Sequence, residues 1–337
     1  MSINKSKSAS LHDDIWNHRG PVVFSPVFSW PAKPLTIFRT LTTRWVTLTR
    51  TMLFLVIALG VYNFLLPTSA VMADLSVDWI LITLARNTAL MIIVAGSLHL
   101  YLFTFFKQGL NLKFDRRQSM DKHKRFNFGN QVHDNIFWCL ISGVPIWTAY
   151  EVFYFWGVAN GNITALTFSD HSFTFFIWLL ILPVFNSAHF YFVHRLLHWP
   201  PLYDLAHRLH HRNIQIGPWS GMSMHPVEHI LYISSVLIHF VIPTHPVLLL
   251  IHLYLRCLTP AFSHAGFEKL IVKGKSITEA ADFHHQLHHK YFDCNYGNIE
   301  VPLDRWLNTL HDGTDNATAV ILQKRRRMLQ ERKQNFG

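Results

Sequence analysis

The apolar residues of this chain fall into long stretches separated by short polar segments. Four stretches are long enough to cross a hydrocarbon core of about 30 Å as helices. They cover residues 46–66, 79–106, 135–158 and 173–193. A fifth stretch, 227–262, is broken near its middle by Pro243 and Pro246. Its arms of about 17 residues predict a short or partly inserted hairpin.

Positive charge alternates along the polar segments. Residues 1–44, 107–134 and 315–337 are basic, whereas the connections 67–78 and 159–172 contain no Lys or Arg. Basic connections stay on the cytosolic side of a membrane. We therefore predict a cytosolic N-terminal arm, a cytosolic basic loop at 107–134 and a cytosolic region after residue 193. The membrane would be the inner membrane of a bacterium or the endoplasmic reticulum of a eukaryote.

Composition agrees with a multi-pass membrane protein. Half of the 337 residues are hydrophobic, only 15% are charged, and the net charge is +10. The mean hydropathy is +0.17. The three cysteines, Cys139, Cys257 and Cys294, are widely spaced, which predicts free thiols and excludes a thiolate metal site. Residues 1–40 do not resemble a cleavable signal, so we expect the first apolar segment to remain as an anchor.

Histidine is concentrated after the fourth apolar stretch. Of 23 histidines, 16 lie between His189 and His289, and eight of them form one H-x3-H and two H-x2-H-H boxes. These eight are His194, His198, His207, His210, His211, His285, His288 and His289. Positions i, i+3 and i+4 lie on one side of a helix, so each box is expected to aim its imidazoles at one point. Eight nitrogen donors are too many for one ion and suit two.

No Asp or Glu lies within the boxes, so the sequence predicts an all-imidazole site for two ions of Zn, Cu, Fe or Ni. Metal-bound imidazoles need hydrogen-bond partners on their outer nitrogens. The candidates are Glu228, Glu268 and Asp282, which are close in sequence to His229, His264 and His284. The remaining histidines are expected to be packed or solvated: packed for His99, His189, His239, His245 and His252, and solvated for His12, His18, His123, His133 and His171.

Two other classes of protein remain open on these observations. A histidine-rich transporter of divalent ions would place its ligands inside the spans near the midplane. A haem-binding electron carrier would need facing histidines within spans, for which His99, His239 and His252 are available. The boxes instead follow the end of a span in polar, Arg-containing segments, which argues against transport.

The order of motifs resembles the fatty acid hydroxylase/sterol desaturase superfamily of integral membrane di-iron oxidases. The resemblance covers HRLLH (194–198), HRLHH (207–211), HPVEH (225–229), HAG (264–266), HHQLHH (284–289), NYG (295–297) and LDRWLNTLHDGT (303–314). The last segment is closer to the sterol-desaturase-like branch. Asn308 departs from the pattern, because many members carry Gly there.

The resemblance implies that the eight box histidines bind metal, with His264 as a ninth ligand. His225, His229, His284 and Asn295 are expected around the ligands, with His225 the least certain as a ligand, and His311 and Asp312 are expected to stabilise the cap. Gly297 is expected to allow a tight turn. The implied cofactors are two Fe ions, with O2 as co-substrate and electrons from an external donor of the ferredoxin or cytochrome b5 type.

The implied activity is desaturation or hydroxylation at an unactivated C–H bond of a sterol or isoprenoid lipid. Hydroxylation of a fatty-acyl or polar-lipid chain is the alternative. Eight aromatic residues of the fourth stretch are candidate walls for such a lipid, although packing or lipid contact explains most of them: Phe173, Phe175, Phe176, Trp178, Phe185, Phe190, Tyr191 and Phe192.

The predicted fold class is therefore all-α: a transmembrane helical bundle of four long spans and an apolar hairpin, with a cytosolic histidine-rich helical cap that holds a dimetal site. The predicted division is an arm at 1–44, a bundle at 45–193, a catalytic region at 194–314 and a basic tail at 315–337.

Overall fold

The computed structural model describes residues 20–43, 45–110, 112–279 and 282–336. His12, His18 and residues 1–19 of the predicted arm lie outside the described residues. Nine longer helices and one hairpin account for the fold within the described ranges, and one-turn helices connect them. The helices are α1 (Pro34–Thr43), α2 (Trp45–Phe64), α3 (Val77–Thr104), α4 (Gln131–Ala159), α5 (Phe168–Leu197), α6 (Pro226–Val241), α7 (Pro246–Ser263), α8 (Phe283–Tyr291) and α9 (Asp315–Phe336).

Four of these helices are long and apolar enough to cross a membrane: α3, α4, α5 and α7. The predicted stretches 79–106, 135–158 and 173–193 correspond to α3, α4 and α5. The predicted stretch 46–66 is the helix α2, whose described apolar part, Thr51–Phe64, is shorter than a span. The predicted hairpin is the pair α6 and α7, and α7 with its 18 residues is itself a candidate span. The chain is a multi-pass helical membrane protein.

The helix α7 forms the centre of the bundle. It packs against α2, α4, α5 and α6, and 78% of its residues are buried, against 17% in the most apolar part of α5. Tyr254 of α7 meets the rings of Phe54 and Trp147 at centroid distances of 6.4 and 5.9 Å. The outer face of α5 exposes Phe173, Phe176 and Leu180, which suits contact with lipid chains.

Polar side chains of α3 and α4 are paired with each other. Arg86 forms an ion pair with Glu151, and Asn87 donates to Thr148 and to the same carboxylate. Arg86 therefore faces protein. His99 is half-buried and stacks on Phe103 at 5.4 Å.

Different loops lie at the two ends of the bundle. At one end, the basic loop lies against the histidine region: Phe114 N–H donates to Gly266 O, and Gln131 donates to Asn213. At the other end, Leu166 N–H donates to Thr244 O, in the turn between α6 and α7. Asn160 there also donates to Ala73 O. The basic loop and the histidines thus lie at one end, and the connections without Lys or Arg lie at the other.

A short antiparallel hairpin beside the histidine region was not expected from the sequence. It pairs β1 (Lys269–Val272) with β2 (Lys275–Glu279). Lys273 and Gly274 turn the chain with φ values of 50° and 75°. Gln108 bonds the backbone of Lys269 and of Ile271. Strands this short depend on such tertiary contacts, so they leave little pattern in the sequence.

Candidate metal centre

The first histidine box lies at the end of a span. His194 is in the last turn of α5, and His198 follows its last residue. Four helical positions turn the chain by about 400°, so the two side chains lie on nearly the same face. His194 Nδ1 donates to the carbonyl oxygen of Tyr296 at 2.7 Å, which orients its Nε2 toward the other boxes.

The second box follows in a short irregular helix that ends at His210. His207 Nδ1 donates to Glu228 Oε1 at 2.7 Å, and His210 Nδ1 donates to the carbonyl of Ser223 at 3.3 Å. His207, His210 and His211 are at most 4% exposed. Both hydrogen bonds are made by the outer nitrogens, so the Nε2 atoms of His207 and His210 face the interior of the histidine cluster.

The third box forms the body of α8. Asp282 accepts a hydrogen bond from the backbone N–H of His284 and begins the helix. His285, His288 and His289 are at most 5% exposed. His288 Nδ1 donates to the carbonyl of Cys294 at 2.6 Å. The polar sequence of α8 is therefore explained by the cluster that it faces.

The nine predicted histidine ligands form two groups, and within each the ligand atoms lie within 4.8 Å of one another. The five-histidine group consists of His194, His198, His207, His211 and His288. The four-histidine group consists of His210, His264, His285 and His289. The structure brings all nine predicted residues together.

The expectation that each box aims at one point was wrong for the second and third boxes. In all three boxes the i and i+4 histidines share a group, whereas His210 and His288, the i+3 members, belong to the other group. On a helix, i+4 lies about 40° from i, and i+3 lies about 60° away on the opposite side. The i+3 and i+4 side chains thus diverge by about 100°, and each H-x2-H-H box spans both groups.

The donor atoms fit metal ions. Nε2 of His194 lies 3.1 Å from Nε2 of His207, and both residues place their proton on Nδ1. Two lone pairs then face each other, which is unfavourable without a cation between them. Two nitrogens bound at right angles, about 2.1 Å from one ion, are about 3.0 Å apart. Neighbouring Nε2 atoms in this group are 2.9–3.2 Å apart.

Burial keeps these imidazoles neutral. Removal from water lowers the pKa of His198 to about 2, of His207 to about 3 and of His210 to about 4. Each is therefore unprotonated at neutral pH and has a lone pair to offer. Imidazole is a ligand of Fe, Zn, Cu and Ni alike, so the donor set leaves the metal open.

Comparison with known proteins agrees with this geometry. The family model for fatty acid hydroxylase matches residues 178–309, which contain all nine candidate metal ligands. The chain is 30% identical to the Delta(7)-sterol 5(6)-desaturase ERG3B of Gibberella zeae, over 55% of this chain and 56% of the relative. It is 27% identical to ERG3 of Saccharomyces cerevisiae, over 72% of this chain and 62% of the relative.

The chain is thus similar to the fatty acid hydroxylase family over residues 178–309, and to sterol desaturases over 55–72% of its length. A third relative, the Delta(7)-sterol 5(6)-desaturase erg3C of Aspergillus fumigatus, is 28% identical over 70% of this chain and 80% of its own length. The matches to the first two relatives span less than two thirds of their length. No solved structure matches this chain significantly.

Among the predicted partners of the ligands, Glu228 is beside the metal centre and Glu268 is not. Glu228 is 2% exposed and holds His207, not His229. Glu268 is 42% exposed on its side chain and lies 3.9 Å from Lys269. The outer nitrogen of His264 instead donates to Pro260 O at 3.0 Å, one turn earlier in α7.

The other predicted neighbours act on the backbone. His225 begins α6 by accepting from Val227 N–H and belongs to neither group. His229 lies in the bundle, where it meets Ser142 Oγ and the carbonyl of Met222. Asn295 contacts no ligand imidazole: its amide donates to His284 O and His311 O and ties α8 to the segment that precedes α9.

The sequence analysis assigned no role to Asp304, which organises the turn after α8. Its carboxylate accepts from the backbone N–H of Tyr296 and of Gly297, and lies 3.3 Å from His284 Nε2. Burial opposes ionisation of Asp304, but His284 and these donors outweigh it and hold the pKa of the carboxyl below its usual value. A Cβ on Gly297 would lie 3.0 Å from this carboxylate, so the close approach requires glycine. The LDRW segment at residues 303–306, which contains Asp304, was the feature of the sequence that could have indicated this role.

A cavity opens beside both groups. Its empty space is about 1040 Å³, which includes the part open to solvent, and His194, His207, His210, His264 and His285 line it. Of the eight aromatic residues considered as walls, Phe190 lines the cavity. Phe190 stacks on His194 at 4.9 Å. The cavity gives an apolar molecule access to the metal centre between α5 and α7.

Proposed function

We propose that this chain is a membrane-bound, O2-dependent di-iron oxidase that acts on an unactivated C–H bond of a lipid. The observation that carries the proposal is the pair of buried all-imidazole groups beside a cavity between two spans. Similarity to sterol desaturases favours a sterol or isoprenoid lipid. Hydroxylation of a fatty-acyl or polar-lipid chain is the second candidate, because a cavity formed by apolar helices suits either substrate.

When bound, a reduced iron pair would supply the O2 chemistry that removes hydrogen from such a bond. The five-histidine and four-histidine groups would hold one ion each. Glu228 and the carbonyls of Tyr296, Cys294, Ser223 and Pro260 orient the imidazoles through their outer nitrogens. Phe190 and Leu197 would pack against the lipid and exclude water from the reacting bond.

The reaction balance requires a partner. Hydroxylation adds one oxygen atom of O2 to the lipid, and desaturation removes two hydrogen atoms; both take two electrons and two protons from outside. We propose that a ferredoxin or cytochrome b5 type of donor supplies the electrons on the cytosolic side, at the end where the basic loop lies. A transporter is disfavoured because both groups are enclosed by protein where spans end.

Two measurements test the proposal. Purified chain reconstituted with ferrous iron without oxygen should contain close to two irons by elemental analysis. Lipids from cells with and without the gene, compared by mass spectrometry, should differ by an added oxygen atom or by two lost hydrogens. His198→Ala should abolish the lipid change, whereas His171→Ala, exposed at the opposite end of α5, should preserve it.

A metal content of zero or one, or an unchanged lipid profile with an iron-loaded enzyme and a competent donor, would contradict the proposal. Added oxygen in a fatty-acyl chain would select the second candidate.

A further inference from the structure

A buried arginine lines the cavity near the metal centre. Arg256 of α7 is 1% exposed, although it lies within a candidate membrane span. In the described part of the chain, no carboxylate lies within ion-pair distance of its guanidinium. A buried charge without a counter-charge is costly inside a membrane protein and usually marks a functional site.

The guanidinium is only partly satisfied by protein. Its Nε and Nη2 both donate to one acceptor, the carbonyl oxygen of Tyr232. Its Cζ lies 3.9 Å from the centroid of the Tyr232 ring and 5.8 Å from that of the Phe190 ring. A guanidinium has five N–H donors, and Nη1 has no acceptor among the described residues. A ligand oxygen in the cavity would complete its hydrogen bonds.

The cavity places this donor at a defined distance from the metal ligands. Phe190 separates Arg256 from His194, with its ring 5.8 Å from the guanidinium and 4.9 Å from the imidazole. Arg256 precedes the ligand His264, the residue that follows α7, by eight positions, about 12 Å along a helix. On the facing wall, Asn186 precedes His194 by the same number of positions on α5. One end of the cavity is therefore polar and the other holds the metal ligands.

Two neutral side chains of the cavity wall carry buried polar atoms that lack a protein partner. Among the described residues, Thr259 Oγ1 and Asn186 Oδ1 are buried and have no hydrogen-bond partner. Thr259 lies one turn after Arg256 on the face of α7 that lines the cavity. Unsatisfied buried polar atoms are rare and costly, so they indicate a missing polar ligand. The three side chains together offer both donors and acceptors.

The hydrogen-bonding groups of the cavity select among oxygen-bearing ligands. Asn186 Oδ1 is an acceptor and needs a donor from the ligand. An ionised carboxylate has no proton to donate, whereas a hydroxyl does. A hydroxyl also donates and accepts at once, which matches the mixture of Arg256, Thr259 and Asn186.

We infer that Arg256 is a positioning residue that binds the hydroxyl group of a lipid alcohol and so determines which C–H bond faces the metal centre. This inference rests on the proposed function and narrows its substrate to a lipid with a free hydroxyl. Thr259 and Asn186 complete the binding site for that hydroxyl. The chain would discriminate against esters and hydrocarbons of the same shape.

The test compares lipids that differ only in the hydroxyl. Tritiated lipids are bound to the iron-loaded full chain in nanodiscs, and the dissociation constants are measured by scintillation proximity. One pair is a Delta(7)-sterol and its 3-deoxy analogue, and the other is 1-octadecanol and octadecane. We expect the alcohol of one pair to bind about 10- to 100-fold more tightly than its partner, as for a hydrogen bond to a charged group. The pair with the larger ratio of dissociation constants shows whether the hydroxyl belongs to a sterol or to a fatty alcohol.

Variants separate binding from a structural role. Arg256→Met should remove the preference for the alcohol and leave the binding of the deoxy lipid unchanged, and Arg256→Lys should restore part of the preference. Thr259→Val has nearly the same shape and breaks no protein hydrogen bond, so it should reduce the preference even if Arg256→Met fails to fold. Arg208→Met is the control, because its guanidinium is 66% exposed and pairs with Asp204 on the surface.

Equal binding of both lipids in each pair by the wild-type chain would overturn the inference. A second combination of results would also overturn it: Arg256→Met weakens the binding of both lipids equally, and Thr259→Val leaves the ratio of the two dissociation constants unchanged. Arg256 would then serve only to hydrogen-bond the Tyr232 carbonyl. Iron content and lipid products are measured separately. A chain that prefers the alcohol but holds no iron contradicts the proposed function and supports the hydroxyl site.

Discussion

Glu228 Oε1 lies 2.7 Å from Nδ1 of His207, and both side chains are at most 2% exposed. The two residues are 21 positions apart and belong to different helical segments. The carboxylate accepts the outer proton of the imidazole and turns Nε2 toward the five-histidine group. Among the described residues, Glu228 is thus the acidic side chain that hydrogen-bonds to a candidate ligand.

Glu228→Gln should weaken metal binding without unfolding the chain. The amide keeps the shape but provides a weaker acceptor, and loss of such partners usually costs about 10- to 100-fold in metal affinity. Iron retention against a chelator of graded concentration measures the effect. Glu268→Gln, at an exposed carboxylate, is the matched control. Equal retention by Glu228→Gln and wild type would mean that the carboxylate does not act on the metal.

His289→Ala should reduce the metal content from two ions to about one. His289 belongs to the four-histidine group, so its removal leaves three imidazoles there and all five in the other group. Elemental analysis after gel filtration provides the count, and turnover should be lost. His123→Ala, at an exposed histidine in the basic loop, should retain both ions. Loss of both ions from His289→Ala would show that the two groups do not bind independently.

Gly221→Ala should destabilise the chain and displace His264. An added Cβ would lie 2.3 Å from the carbonyl oxygen of Pro260, a backbone atom that cannot rotate away. The same oxygen accepts from His264 Nδ1. We expect a loss of about 1–3 kcal/mol, as for overpacking, seen as a lower thermal unfolding temperature, with reduced iron retention.

Gly60→Ala is the control for this substitution. A Cβ at Gly60 in α2 would meet nothing within 4 Å, and alanine is favoured over glycine inside a helix by about 1 kcal/mol. Gly60→Ala should therefore leave stability unchanged or raise it. If both variants unfold at the wild-type temperature, the close approach at Pro260 is not a constraint.

Reversing the charge of Lys122, Lys124 and Arg125 to Glu should raise the apparent KM for an acidic electron donor. These residues are exposed in the basic loop at the histidine end of the bundle. Opposite charge raises encounter rates, and salt screens it, so the effect should be larger at low ionic strength. Turnover against donor concentration at two salt concentrations measures it.

Arg117 is left unchanged in that variant because it pairs with the buried Asp115 and supports the loop. Lys273→Glu with Lys275→Glu, in the hairpin beside the same end, is the control. An unchanged KM with correct membrane insertion would assign the loop to lipid headgroups and leave the donor to another surface.

Much of this protein could be predicted from local pattern. Long apolar stretches identify the spans because a helix that crosses a membrane needs about 20 apolar residues. The alternation of basic and neutral connections separated the two ends of the bundle correctly, since the structure collects the same loops at each end. The nine histidines that converge were identified from their spacing and their motif order. Each of these properties depends on residues close together in the chain.

The tertiary structure decided how these pieces act on one another. Spacing alone suggested one target for each box, but the direction in which His210 and His288 face depends on what packs on either side of each helix. Glu228 was expected near His229, its neighbour in sequence, and packing placed it against His207. Arg256 reads as an interruption in an apolar stretch; only the fold shows that it lines the cavity beside the metal centre. Contacts between distant residues are selected by the packing of whole helices, which no local pattern encodes.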